Sequence, residues 1–253
     1  MITGASSGIG AAFARLLAER GYGLILVARR RERLERLAAE LPVEAEALVA
    51  DLSLREDRRK LAARLRSEER LALLVNNAGF GTRNRFWEAD LEGQTRMHEV
   101  HVMAVAELTH AALGNLVRQG AGGIINVASV AAFSRSPGNA SYCATKSWMV
   151  AFTEGLALDL GSMGSGVKVQ ALCPGFTYTE FHDVMGVSRD RIARILWMHS
   201  EDVARRSLEG LDKGELIVTP GWGYRMFTAI FPRLPLKLRM ALEARSPHTR
   251  GRL

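Results

Sequence analysis

Short apolar runs alternate along the chain with longer stretches in which apolar residues recur every three or four positions. The runs at 24–28, 44–50, 71–76, 123–128, 168–173 and 215–219 read as strands, with a shorter one at 2–3. The stretches near 9–20, 31–40, 54–67, 92–119, 140–161 and 201–211 read as helices. Runs such as Leu24-Ile25-Leu26-Val27-Ala28 are apolar at every position rather than at alternate ones, which is the pattern of a strand covered on both faces. Strands alternating with helices require right-handed crossovers and a parallel sheet. The fold class expected is therefore α/β: one doubly wound parallel sheet of about seven strands with helices on both faces, in a single domain over 1–253. A ligand would lie at the carboxyl ends of the strands. The start strains this picture. Only Met1, Ile2 and Thr3 precede Gly4, whereas a typical strand has about five or six residues. Either residues are missing upstream or the central strand is unusually short.

The chain has 253 residues, 47% hydrophobic and 24% charged, enough for a sizeable core within one α/β domain. No apolar run approaches the ~20 residues that a membrane span needs, and no secretory signal precedes Gly4. Cys143 and Cys173 form neither a disulfide framework nor a metal-ligand spacing, and read as small buried residues in a reducing compartment. A cytoplasmic location is expected. His98 and His101 stand three apart without further ligands, so no metal site is expected. The charge is uneven. Residues 225–253 hold seven basic residues and one acid, a net +6 out of the chain's +7. Met226, Phe227, Ile230, Phe231, Leu234, Leu236, Leu238, Met240 and Leu242 interleave with these charges. Such a basic apolar tail can lie on an anionic membrane surface, or pack on the substrate cleft or a second subunit. No base-reading motif accompanies it, so no nucleic acid is expected.

Two local patterns carry chemistry. Thr3-Gly4-Ala5-Ser6-Ser7-Gly8-Ile9-Gly10 opens an amphipathic helix. Glycines let the backbone turn and approach a phosphate, and a helix start offers N–H groups and partial positive charge. Tyr142 and Lys146 stand four apart on the helix expected at 140–161, hence on one face. A free phenol has a pKa of about 10, and a nearby cation lowers it toward acid–base use. Ser129, ending the run Gly123 to Ala128, can hydrogen-bond a substrate oxygen beside that phenol.

Taken with Asp51-Leu52, Asn76-Asn77-Ala78-Gly79 and Pro174-Gly175-Phe176-Thr177-Tyr178-Thr179, these patterns run in order from residue 3 to 179. In this the chain resembles the short-chain dehydrogenase/reductase family, with its Rossmann-like fold. The resemblance implies hydride transfer between a nicotinamide cofactor and a carbonyl or secondary alcohol. It assigns the proton transfer to Tyr142, a hydrogen bond on the same oxygen to Ser129, and ribose binding and pKa depression to Lys146. It implies cofactor contacts from Gly4, Ser6, Ser7, Gly8, Ile9 and Gly10, from Asp51 and Leu52 at the adenine, and from Asn77, Ala78 and Gly79 at the ribose. Pro174, Gly175, Thr177 and Thr179 would hold the carboxamide, while Asn76 ties strands together. Arg29, Arg30 and Arg31 follow the second strand where an NAD site usually has an acid, so NADP(H) is favoured over NAD(H), with Arg29 the principal contact and Arg30 a further one.

The chain departs from the family pattern at His101, where an asparagine commonly helps hold a helix kink and a water linking the lysine to solvent. A histidine can donate and accept hydrogen bonds in its place. It can also titrate near neutral pH, which would give activity an extra pH dependence. Residues 178–200, with Phe181, His182, Val184, Met185, Ile192, Ile195, Leu196 and Trp197, are expected to form a substrate lid, with Ser134, Arg135 and Asn139 opposite. The apolar lining points to a lipophilic substrate. Pairing through the long fourth and fifth helices into a homodimer or homotetramer is a family expectation. Two other readings stand beside this one: a catalytically weak NADP(H)-binding sensor or scaffold, and an epimerase or dehydratase, which usually has a different glycine spacing.

Overall fold

The computed structural model describes residues 1–82, 84–180 and 193–245. Seven strands form one sheet: β1 Ile2–Thr3, β2 Leu24–Ala28, β3 Ala45–Val49, β4 Leu73–Asn76, β5 Gly123–Val127, β6 Lys168–Leu172 and β7 Ile217–Val218. Their order is β3-β2-β1-β4-β5-β6-β7, and every neighbouring pair is parallel. The order reverses beside β1, which opens a crevice above its carboxyl end. β1 stays central although short, because its flanks continue the ladder. Val75 N–H donates to Met1 O at 2.8 Å, and Ala5 N–H to Val27 O at 3.1 Å.

Helices α1 (Gly8–Glu19) and α2 (Arg31–Glu40) cover one face, and α3 (Arg55–Arg66) the other. Phe13, Leu16 and Leu17 of α1 pack on Leu26 and Ile125 together with Val203 and Leu208 of a later helix, Ser200–Asp212. On the opposite face Leu61 and Leu65 of α3 meet Leu74, Ile124, Leu108 and Leu116. The sheet is thus buried on both sides, which is why its strands lack polar alternation.

The helix expected over 92–119 is interrupted. It consists of α4 (Leu91–His98), a π-helical turn (Glu99–Met103) and α5 (Ala104–Gln119). The π turn centres on His101 and inserts an extra residue into the hydrogen-bond ladder, a feature frequent at functional sites. The whole stretch Leu91–Gln119 has 29 residues and contains an 18-residue window of mean hydropathy 1.3, enough by length and composition to cross a membrane. This corrects the expectation that no such stretch exists. Most of its apolar window, 56%, is buried inside the protein, as befits a core helix packed on α3 and the sheet.

After α6 (Ala140–Ser162) and α7 (Ser200–Asp212), the tail forms α8 (Trp222–Ile230), a 3-10 turn (Phe231–Arg233) and α9 (Leu236–Arg245). Trp222, Met226 and Ile230 recur every four residues on the exposed side of α8. Most of the expected lid, 181–192, lies outside the described residues, as does 246–253 of the tail.

Candidate active site

A cleft of about 540 Å³ opens at the carboxyl ends of the strands. Gly4, Ser6, Ser7, Gly8 and Ile9 line it, with Arg29, Arg30, Asp51, Leu52, Asn77, Ala78 and Gly79. Ser129, Tyr142, Lys146, Pro174, Gly175, Thr177 and Thr179 complete the lining. Of the expected catalytic and cofactor-contact residues, Gly10 and His101 are not in the lining, and neither are Ser134, Arg135 and Asn139, expected opposite the lid.

The loop before α1 is built by close approach. Gly4 and Gly8 have φ of +64° and +56°, the left-handed region that glycine adopts without strain. A Cβ on Gly10 would lie 2.3 Å from Gly4 O, so no larger residue fits. Ser7 precedes α1 without a side-chain cap on its first N–H groups. A glycine cradle, a helix start with uncapped donors and a crevice at the strand ends together fit the phosphates of a dinucleotide. The neighbouring turn is tied to this loop. Asn77 Nδ2 donates to Thr3 O at 2.9 Å and Gly4 O at 3.2 Å, and Thr3 Oγ1 accepts from Asn77 N–H and Ala78 N–H. Asn76 instead links β4 to β5, donating to Asn126 Oδ1 at 2.9 Å. Asp51 is held by Ser53, whose N–H and Oγ donate to Oδ1 at 2.9 and 2.8 Å.

The two arginines take different places at the rim of the cleft. Arg29 is 70% exposed and lies 3.9 Å from Asp51. Arg30 reaches back over the glycine loop, donating from Nη2 to Ser7 Oγ at 2.8 Å and to Ser6 Oγ at 3.1 Å. Its Nη1 donates to Glu180 Oε2 at 2.6 Å.

At the other end, α6 presents Tyr142 and Lys146 one turn apart, with the ammonium nitrogen 5.8 Å from the centre of the tyrosine ring. Lys146 is buried, and Nζ donates to Val127 O at 2.8 Å. Burial disfavours the charge and lowers its pKa from 10.5 to about 7. The cation that acidifies the phenol therefore loses its proton around neutral pH. Ser129 follows β5, and its oxygen accepts from Ala131 N–H at 3.1 Å, leaving its proton for another acceptor. Cys173 is buried nearby, and desolvation raises its thiol to about 12, which makes it inert.

His101 holds these parts in place. Its Nε2 accepts from Phe80 N–H at 3.2 Å, and Nδ1 stands 2.9 Å from Thr145 Oγ1. Thr145 Oγ1 itself donates to Tyr142 O at 2.9 Å. These roles leave the imidazole proton on Nδ1, donated to Thr145. The ring ties the π turn to the loop after β4 and to the first turn of α6. It is wholly buried, and desolvation with the Lys146 charge holds its pKa well below 6.5. The expectation of a titration near neutral pH is thereby overturned: an ammonium and a dry cavity both oppose a second positive charge. Nitrogen-edited NMR of His101 is expected to show one neutral Nδ1–H tautomer at pH 6.5 and above, and a ring half-protonated at pH 6.5 would refute the assignment.

Several contributors were not seen in the sequence. Arg58, in an arginine-rich helix that reads as solvated, is 3% exposed. It donates to Leu52 O and Ser53 O at 3.1 Å and pairs with Glu99 at 2.7 Å, joining the Asp51 turn to the π turn. Tyr224 on α8 accepts from Phe176 N–H at 3.1 Å and donates to Leu196 O at 2.7 Å, locking the Pro174–Phe176 turn. Glu180 closes onto Arg30 across the cleft. The 176–224 and 30–180 pairings leave no local sequence signal.

Known proteins match this arrangement. A family model for the short chain dehydrogenases matches residues 1–187. The chain is 38% identical over 186 residues to sulfoacetaldehyde reductase 2 of Chromohalobacter salexigens, spanning 72% of this chain and 73% of that one. A short-chain dehydrogenase of Sphingobium yanoikuyae, solved with NADPH, superposes with a TM-score of 0.81 at 33% identity, over 93% of this chain and 95% of that one. A short-chain dehydrogenase/reductase of Burkholderia phymatum, solved with NAD, superposes with a TM-score of 0.82 at 27% identity, over 96% and 94%.

Proposed function

The chain belongs to the short-chain dehydrogenase family of oxidoreductases acting on alcohol and carbonyl groups, and from that premise we propose an NADP(H)-dependent enzyme acting on a lipophilic ketone, aldehyde or secondary alcohol. The observation that carries the proposal is one cleft holding Ser129, Tyr142 and Lys146 at one end and the glycine loop with Arg30 at the other. The solved neighbours were obtained with NADPH in one case and NAD in another, so the preference for NADP(H) rests on charge at the end of β2. Arg29 and Arg30 stand there with no acid among the residues from Leu24 to Arg31. A guanidinium pairs with a 2′-phosphate and offers less to a ribose 2′-hydroxyl than a carboxylate does.

In this reading Gly4, Ser6, Ser7, Gly8, Ile9 and Gly10 receive the cofactor phosphates. Asp51 and Leu52 meet the adenine, Asn77, Ala78 and Gly79 the adjoining ribose, and Pro174, Gly175, Thr177 and Thr179 the carboxamide. The bound nicotinamide supplies or accepts the hydride. In the direction of reduction Tyr142 gives its phenolic proton to the oxygen that becomes the alkoxide. Ser129 donates a hydrogen bond to the same oxygen and fixes its position. Lys146 binds ribose hydroxyls and, when charged, makes the phenol a stronger acid. His101 is a positioning residue: it orients α6 through Thr145 and takes no proton.

Phe176 and Tyr178 pack against Trp197, with ring centres 5.5 and 5.0 Å apart, which supports a lipophilic substrate. The Arg135 guanidinium turns back on its own loop, donating from Nη1 to Ala132 O and Ser134 O, so it is poorly placed to receive an acidic group. Pairing of two copies through α5 and α6, and a location in the cytoplasm, belong to the same proposal.

A screen of bulky apolar ketones, aldehydes and small polar aldehydes, following NADPH absorbance, tests it. Turnover with the apolar set is expected. Absence of turnover with any carbonyl or alcohol, despite tight NADPH binding, would favour the sensor or scaffold reading. Binding titrations are expected to give NADPH at least tenfold tighter than NADH, and the reverse order would refute the arginine argument.

A further inference from the structure

The rim of the cleft carries a carboxylate that hydride chemistry does not use. Glu180 follows Thr179 directly in the chain and lines the same cleft as Ser6, Arg29 and Arg30. Its two oxygens are divided between two guanidiniums: Oε2 lies 2.6 Å from Arg30 Nη1, and Oε1 2.5 Å from Arg33 Nη1. Both arginines hold the Glu180 carboxyl below its usual range. Arg30 does not depend on Glu180 for its place, because Ser6 and Ser7 hydroxyls accept its other N–H groups.

We propose that Glu180 is a specificity-determining residue whose carboxylate occupies, on Arg30 and Arg33, the place of a cofactor 2′-phosphate. The inference rests on the NADP(H) reading of the cleft and deepens it. A carboxylate and a phosphate dianion compete for the same N–H donors, and a guanidinium fork takes one or the other. NADPH must displace Glu180 to engage both arginines. NADH brings no 2′-phosphate and leaves the clasp closed. Glu180 therefore subtracts from the affinity for NADPH alone. The three side chains are 43 to 48% exposed, so water screens the clasp and its displacement is cheap. The residue tempers the preference without reversing it. Removing its charge frees Arg30 Nη1 and the head of Arg33 while the serines keep Arg30 over the loop.

The test is a fluorescence titration of the full chain with NADPH and with NADH, on the parent, Glu180→Gln, and Glu180→Gln combined with Arg30→Met. Glu180→Gln is expected to bind NADPH about fivefold tighter, roughly 1 kcal/mol, and NADH within twofold of the parent. The gain is expected to shrink when Arg30→Met is added, since Arg33 alone is then left free. No gain, an equal gain for both cofactors, or a gain undiminished by Arg30→Met would each overturn the assignment. The parent's own ratio of NADPH to NADH affinity decides the cofactor preference separately. A parent that prefers NADH would refute that preference, while the variant-to-parent ratio would still decide the role of Glu180.

Discussion

Tyr142→Phe is expected to lower kcat at least about a thousandfold, the upper part of the range for loss of a positioned general acid, and to leave NADPH affinity within about threefold. The substitution removes one oxygen and keeps the ring, which packs edge-on against His101 with centres 5.8 Å apart. The local fold should therefore persist. Stopped-flow turnover and a binding titration on the same preparation separate the two effects. A loss confined to catalysis identifies the phenol as the proton donor. Turnover within tenfold of the parent would show that another group, Ser129 being nearest in kind, moves the proton, and the mechanism proposed here would fall. A parallel loss of cofactor affinity would instead assign the hydroxyl to binding.

Lys146→Met has the second largest expected effect, and it acts on activity and stability in opposite directions. Activity is expected to drop more than about a hundredfold, since the variant loses both the ribose donor and the cation beside the phenol. Stability at pH 6 is expected to rise. An ordinary lysine has a pKa of about 10.4, whereas Lys146 is depressed to about 7 by burial. Between these values the unfolded chain binds more protons than the folded one, so stability climbs as pH rises through that window. Below about pH 7 the folded protein carries the full penalty of a buried ammonium, on the order of 5 kcal/mol before relaxation and the Val127 hydrogen bond are counted. Methionine has similar length and no charge, and would pack beside Met149, whose sulfur is 3.6 Å from Nζ. Thermal melts should show the variant most favoured over the parent at pH 6, with the advantage shrinking toward pH 10. An advantage that does not change with pH would mean that Lys146 keeps an ordinary pKa in the folded chain.

The short β1 is instructive about what could be read ahead. Its two residues were visible as a shortfall, and the ladder contacts of Met1 and Ala5 explain why a central strand of that length holds. The break in the long helix was legible only as a residue, His101, and not as a π turn, because a one-residue insertion barely disturbs an apolar period. His101 lies at the centre of that turn, and its surroundings bear on its ionisation. A sequence gives the imidazole an ordinary pKa, whereas zero exposure and a lysine nearby push it down. Arg29 and Arg30 are adjacent, and the end of β2 puts Arg29 first. Which one crosses the glycine loop depends on Ser6, Ser7 and Glu180, the last 150 residues away. Nothing in the sequence sets Arg58 apart from the other arginines of α3, yet two carbonyls and two glutamates converge on it in the interior.

By itself the chain's residue order settled the alternation of strands and helices, the glycine cradle, and the shared helical face of Tyr142 and Lys146. Each follows from spacing within one element, and the periods of helix and strand are fixed by backbone geometry. The folded arrangement alone decided the charge states of Lys146 and His101, the choice of Arg30 over Arg29 at the loop, and the partners of Glu180, Arg58 and Tyr224. Those depend on desolvation and on contacts between distant segments, and neither quantity exists until the sheet and its helices have closed around them.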